Sequence, residues 1–186
     1  SLKLTLNYSY CNCLLKEMLT QQIKVPALVP MVDAEVVEKA IKAGVGETIT
    51  VMIGGKLDTS FYQPVKITAK VARIGGGIIT RISSAPDSIT TEANEDLGVS
   101  FDMGRAVLLE RGSIKIVVSE EVGIGGNNPI VYEHFGLNLS DAKMVVVKTA
   151  SNWQSFQEYI SEVIRADTPG ATMSNLKQFN WKQLPR

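Results

Sequence analysis

The stretch from Met144 to Gly170 constrains the fold of this chain more than any other segment. It opens with four consecutive apolar residues, Met144–Val147, which are typical of a strand buried on both faces, as in a parallel sheet. A short polar loop, an amphipathic helix and a second strand ending at Asp167 are predicted to follow. Ligands of open α/β sheets bind at the carboxyl ends of the parallel strands. The loop after Val147 is therefore the first candidate for a functional site.

The N-terminal part of the chain also predicts helices beside a buried strand. Apolar residues at helical spacing predict a helix over Asn12–Gln22. The apolar run Val25–Val32 contains two prolines, which predicts a short buried strand near the edge of a sheet. Asp33 suits the N-cap of the next helix, which Gly44 is expected to end.

The middle of the chain has the period of antiparallel strands. Thr48–Ile53 and Pro64–Ile74 alternate apolar and polar residues, and Gly75–Gly77 is expected to break the second strand. Ala106–Leu109 and Ile114–Val118 flank a turn and predict a hairpin. The predicted class is mixed α/β: buried parallel strands with flanking helices at both ends of the chain, and an antiparallel β section in the middle.

Composition excludes two classes of partner and indicates a compartment. Nineteen basic and nineteen acidic residues give no net charge, which argues against a nucleic-acid-binding surface. No apolar run approaches the roughly 18 residues that a membrane span needs. Cys11 and Cys13 are too close in sequence to form a good disulfide, which favours a reduced, cytoplasmic setting.

No metal site or nucleophile can be assigned from the sequence. The single histidine, His134, cannot provide the three protein ligands of a catalytic zinc site, and the Cys11–Cys13 spacing matches no standard zinc motif. No Gly-x-Ser-x-Gly elbow occurs. We therefore predict no catalytic residue and no metal ligand in this chain.

Two glycine-rich segments are interpreted as structural turns. Gly123–Gly126 precedes a helix in which Asn128 would be the cap and Pro129 would lie in the first turn, ending near Gly136. This run lacks both the P-loop ending and the Rossmann spacing. The Gly54–Lys56 turn is interpreted in the same way.

The loop after Met144–Val147 is the best candidate for ligand binding. Ser151 and Gln154 form a capping box, and free N–H groups of that helix terminus could hold an anion such as a carboxylate beside Lys148. A strand-end lysine that simply reaches solvent is an equally good interpretation of Lys148. The substrate-binding candidates are Lys148, Thr149, Ser151 and Asn152.

Six short motifs follow one another in a characteristic order. They are LVPMVD at 28–33, AGVG at 43–46, GGK at 54–56, MGRAVL at 103–108, VVVKT at 145–149 and DTPG at 167–170. Their order and spacing resemble the C-terminal domain of the microcystinase C (MlrC) family, described as zinc metallopeptidases. The resemblance covers roughly residues 14–186. It divides the chain into an atypical segment 1–13, the domain 14–172 and a tail 173–186.

The resemblance implies part of a larger hydrolase acting on peptides or amides. In that family the N-terminal part carries the zinc ligands, so zinc is expected in a full-length parent enzyme and not in this chain. The domain would pack on that catalytic part and help to position a small anionic or peptide substrate through Lys148 and Thr149. Two other interpretations stay open: a stand-alone small-anion-binding module, and a scaffold or dimerisation domain, with a homo-oligomer as one possible assembly. The substrate itself cannot be read from the sequence.

Overall fold

A computed structural model describes residues 2–7, 12–56, 62–81, 99–123, 126–148, 153–166 and 168. Its strands are β1 Leu2–Asn7, β2 Ala27–Val32, β3 Thr48–Ile53, β4 Val65–Arg81, β5 Val99–Arg111, β6 Ile114–Ser119, β7 Met144–Val147 and β8 Ile160–Ala166. Its α-helices are α1 Asn12–Thr20, α2 Ala34–Ala43 and α3 Ile130–His134. Two 3-10 turns cover Leu139–Asp141 and Trp153–Phe156.

The described strands form one mixed sheet in the order β3-β4-β5-β6-β2-β7-β1-β8. The strands β6, β2, β7, β1 and β8 run parallel to one another, whereas β3, β4, β5 and β6 pair antiparallel. This arrangement confirms the predicted mixed α/β class. The parallel strands come from both ends of the chain, and the antiparallel section comes from its middle, as the change of period indicates.

The parallel strands are buried on both faces because alternate residues enter two separate cores. In β7, Val146 packs with helices α1 and α2 on one face, and Val145 and Val147 pack with α3 on the other. All three valines are fully buried. Side chains of successive strand residues point to opposite faces, so a continuous apolar run is what a strand covered on both sides requires.

Helix α2 begins and ends where its sequence predicts. The Asp33 side chain accepts a hydrogen bond from Val36 N, and the N–H of Gly44 donates to Ala40 O at the other end. Val36, Val37 and Ala40 are fully buried against the sheet, while the charged residues occupy the outer face. In the described part of the chain, no helix is long and apolar enough to cross a membrane.

The prediction that β2 lies near an edge is wrong, since β2 pairs with β6 on one side and β7 on the other. Proline is nevertheless accommodated. The N–H groups of Ala27 and Asp33 donate towards β6. Backbone N–H groups of successive strand residues point to opposite sides, so the nitrogen of Pro30 points towards β7. The β2–β7 pairing ends at Leu28, and therefore no ladder hydrogen bond is lost at Pro30.

The prediction that Gly75–Gly77 breaks the second antiparallel strand is also wrong. Strand β4 continues through these glycines to Arg81 and stays paired with β5. Register shifts occur at Val71/Arg73 and Gly76/Ile78, as β-bulges produce. The glycines therefore do not end the strand.

The amphipathic helix predicted after β7 is replaced by the short 3-10 turn Trp153–Phe156. The second strand predicted to end at Asp167 is confirmed by β8, which covers Ile160–Ala166 and pairs with β1. Strand β1 itself lies between β7 and β8. The first residues of the chain are thus an inner strand of the sheet, although their sequence pattern is weak.

Candidate functional site

A cavity of about 490 Å³ opens at the carboxyl ends of β2, β6 and β7. It lies where β2 and β7 separate beyond Leu28, because strands that stop pairing leave a crevice between them. Its walls are mainly apolar and include Pro30, Val32, Met103, Val117, Val122 and Val131. This is the edge at which open α/β sheets bind ligands, and the volume falls in the usual range of about 300–1,000 Å³ for ligand sites.

Asp33 joins three parts of the cavity wall. Its carboxylate accepts hydrogen bonds from Val36 N at 3.2 Å, from Gly54 N at 2.9 Å and from Lys56 Nζ at 2.9 Å. The side chain is only 4% exposed, so these bonds form where water competes little. Asp33 therefore fixes the turn after β3 against the start of α2.

That turn needs glycine because it lies tightly against the core. Gly54 and Gly55 both have positive φ, at 66° and 65°, which non-glycine residues rarely adopt. A Cβ on Gly54 would lie 2.5 Å from Met31 Cε, and one on Gly55 would lie 2.8 Å from Asn12 Nδ2. The close approach brings Lys56 to the rim of the cavity.

Lys56 is held between two carboxylates. Its ammonium donates to Asp33 Oδ1 and to Glu35 Oε2, both at 2.9 Å. Burial lowers the pKa of Lys56, but the hydrogen bonds to Glu35 and Asp33 outweigh this effect and raise it above its usual value. Hydrogen bonds from Lys39 and Lys56 lower the pKa of Glu35 to about 2. Lys56 and Glu35 are therefore both charged at neutral pH.

A second ion pair lies beside the cavity, at the end of β6. Glu120 follows β6 and accepts from Arg105 N at 2.7 Å and from Arg105 Nε at 2.8 Å. Arg105 also donates to Glu38 of α2 at 2.8 Å. The hydrogen bond from the Arg105 side chain lowers the pKa of Glu120. The acidic group at this wall is thus already neutralised by a fixed cation.

The structure places one of the four predicted binding residues at the cavity. Lys148 directly follows β7, is exposed, and lies on the cavity rim. Thr149, Ser151 and Asn152 lie outside the described residues, as does the Ser151–Gln154 capping box. The carboxyl end of β7 therefore borders the cavity, whereas ligand binding there and the contacts of the loop stay predictions.

The described residues do not fit a catalytic metal. No group of three or more His, Cys, Asp or Glu side chains comes together in the described part of the chain. His134 is exposed at the end of α3 and its ring contacts Phe135 edge-on. Cys13 is a free thiol, and Cys11 lies outside the described residues. The side chains that converge at the cavity can bind and orient a ligand, but we derive no metal-assisted step from them.

Sequence reasoning missed Asp33, Lys56 and Glu120 as cavity residues. Asp33 was interpreted as a helix cap, which it is, and Lys56 as part of a structural turn. Asp33, Glu120 and Lys148 each come directly after a buried strand, which is the signal that could have grouped them. Lys56 follows an antiparallel strand and reaches the site only because the β3–β4 hairpin packs over α1 and α2.

Comparisons with known proteins agree with this fold. A family model described as "MlrC C-terminus" matches residues 8–183. A crystal structure described as "Putative metallopeptidase" from Mesorhizobium sp. BNC1 has a TM-score of 0.80 and 21% identity. The matched region is 100% of the present chain and 37% of the Mesorhizobium chain, so the present chain spans well under half of that protein. At this identity the likeness concerns the fold. A search of curated proteins gave no match.

Proposed function

We propose, because the chain belongs to the MlrC C-terminus family, that it is the substrate-positioning domain of an MlrC-like zinc metallopeptidase. The peptide or amide bond would be cleaved by zinc bound in an N-terminal catalytic part, on which this domain packs. The similar crystal structure of a metallopeptidase-like protein, of which this chain covers 37%, leaves room for such a part. In this proposal the domain is not catalytic by itself.

The cavity at the carboxyl ends of β2, β6 and β7 is the observation that carries this proposal. Its volume of about 490 Å³ and apolar walls suit a ligand side chain. Lys148 stands at its rim and can donate a charge-assisted hydrogen bond to a carboxylate or carbonyl oxygen. Thr149, Ser151 and Asn152 follow Lys148 in the chain and would complete the polar side of this binding site.

Substitution of Lys148 in the full-length parent enzyme tests the proposal. We expect Lys148→Ala to lower kcat/KM by about ten- to a hundredfold, the effect of losing one charge-assisted hydrogen bond, with zinc content unchanged. Lys143 is the matched control, because it is an exposed lysine that precedes β7 at its opposite end. Equal kinetics for Lys148→Ala and the native enzyme would refute the proposal.

A stand-alone small-anion-binding module is the second candidate function. The position of Lys148 on the cavity rim favours it, since lysine is a common ligand of phosphate and carboxylate groups. Calorimetric titration of the 186-residue chain with phosphate and dicarboxylates separates the two candidates. A heat of binding that is lost in Lys148→Ala would support the anion-binding module. The absence of any heat of binding with phosphate or dicarboxylates would refute it.

A further inference from the structure

Ion pairs hold four charged side chains of the cavity walls, namely Asp33, Glu35, Lys56 and Glu120. Asp33 and Glu35 hold Lys56 between them, and Glu120 is held by Arg105. A charged ligand group would have to compete with these fixed pairs. Inside the rim at which Lys148 lies, the apolar surface therefore favours a neutral, apolar group.

Lys56 can still contribute one directed hydrogen bond. A lysine ammonium has three N–H donors, and among the described residues the carboxylates of Asp33 and Glu35 accept two of them. These two bonds fix the position of the ammonium at the rim, with 28% of its side chain exposed. The third donor suits an acceptor oxygen that comes from the ligand. A peptide carbonyl is such an acceptor, and it carries no charge that would disturb the pairs.

We propose that the cavity binds the apolar side chain of a peptide residue while Lys56 donates a hydrogen bond to a carbonyl oxygen of that peptide. This inference rests on the proposed function, because it names the substrate class of the same site. Lys56 is a positioning group here, and its geometry is set by Asp33 and Glu35. Selectivity arises from the burial of the apolar side chain.

Titration of the isotopically labelled 186-residue chain with small blocked amino acids tests the inference. The probes are the N-acetyl N-methylamides of leucine, phenylalanine, glycine and glutamate, followed by amide chemical shifts. We expect the leucine and phenylalanine probes to bind at least about tenfold more tightly than the glycine probe. We also expect them to shift signals of the cavity wall. Equal affinity for all four probes would overturn the inference.

Two exposed valines provide a matched pair of variants. Val122 lies on the cavity wall and is 68% exposed, whereas Val45 is 60% exposed and lies outside the wall. Val122→Asp should weaken binding of the leucine probe about tenfold, and Val45→Asp should leave it unchanged. Equal effects of the two changes would overturn the assignment of the cavity.

The role of Lys56 needs its own variants. Lys56→Met should weaken binding of both apolar probes while their preference over glycine persists, and Lys56→Gln, which keeps an N–H donor, should restore part of the affinity. Native-like spectra establish that both variants are folded. Unchanged affinity in Lys56→Met would overturn the hydrogen bond.

The outcomes distinguish this inference from the proposed function. Selective binding together with unaltered kinetics of Lys148→Ala would leave the apolar site standing and refute the function. Altered kinetics of Lys148→Ala without selective binding of the leucine and phenylalanine probes would refute only the apolar site.

Discussion

Replacing Asp33 with alanine tests whether one buried carboxylate holds the cavity wall together. The change removes the side-chain acceptor for Val36 N, Gly54 N and Lys56 Nζ. Loss of the helix cap costs about 1 kcal/mol. Leaving the buried N–H of Gly54 without an acceptor costs about 1–3 kcal/mol. We therefore expect Asp33→Ala to lower the free energy of unfolding by about 2–4 kcal/mol.

Denaturant-induced unfolding followed by circular dichroism measures this loss directly. In a domain of this size, the loss corresponds to a fall in Tm of about 4–16 °C. Asp33→Asn should fall between the native protein and Asp33→Ala, because asparagine still caps the helix but has only one acceptor oxygen. The slope of free energy against denaturant should stay constant, as expected when the surface exposed on unfolding is unchanged.

Glu35→Gln is the matched control for this prediction. It alters the other carboxylate partner of Lys56, but the Glu35 side chain is 55% exposed, and exposed ion pairs contribute little to stability. Its effect should be clearly smaller than that of Asp33→Ala. A loss below about 1 kcal/mol in Asp33→Ala, or one no larger than in Glu35→Gln, would refute the reasoning.

Two further predictions concern packing and pH. Gly126→Ala should destabilise the fold by about 1–3 kcal/mol, because the new Cβ would lie 2.2 Å from Cγ of the rigid Pro30 ring. Gly75→Ala, whose Cβ would lie 3.5 Å from its nearest neighbour, should cost clearly less in the same unfolding assay. Glu35, with a pKa lowered to about 2 from 4.5, contributes stability that is present above pH 4.5 and is lost as pH falls towards 2. The contribution is small, because the side chain is exposed. As pH falls through this range, the Tm of Glu35→Gln should therefore decrease less steeply than the Tm of the native protein. Parallel curves of Tm against pH would contradict the assignment.

Local signals in the sequence predicted the elements that depend on short-range physics. Asp33 caps α2 and Val145–Val147 forms a strand buried on both faces, because capping and hydrophobic period act within a few residues. The carboxyl end of β7, which the sequence singles out, lies at the cavity. In these cases local preference and tertiary structure agree.

The remaining features depend on long-range partners that the sequence does not display. Pro30 suggests an edge strand, yet it lies in the middle of the sheet, where β2 and β7 have already separated. Gly75–Gly77 suggests the end of a strand, but β4 continues past these glycines because it stays paired with β5. The sequence predicts an amphipathic helix between β7 and β8, but that connection contains only the 3-10 turn Trp153–Phe156 among the described residues.

The cavity could be anticipated in position but not in composition. Lys148 follows a strand that the sequence identifies, whereas Lys56 joins the site only through the packing of the β3–β4 hairpin on α1 and α2. Glu120 joins it because β6 is the neighbour of β2. A single sequence does not reveal such neighbours, so the pairs that neutralise the walls were not predicted.

The most direct test of the central claim measures zinc content and peptide hydrolysis for the 186-residue chain and for the proposed full-length enzyme. The claim is that this domain positions a substrate for a metal held elsewhere. It predicts one zinc per molecule and hydrolysis for the parent, and neither stoichiometric zinc nor hydrolysis for the isolated chain. An isolated chain that binds one zinc and cleaves the peptide would contradict the account.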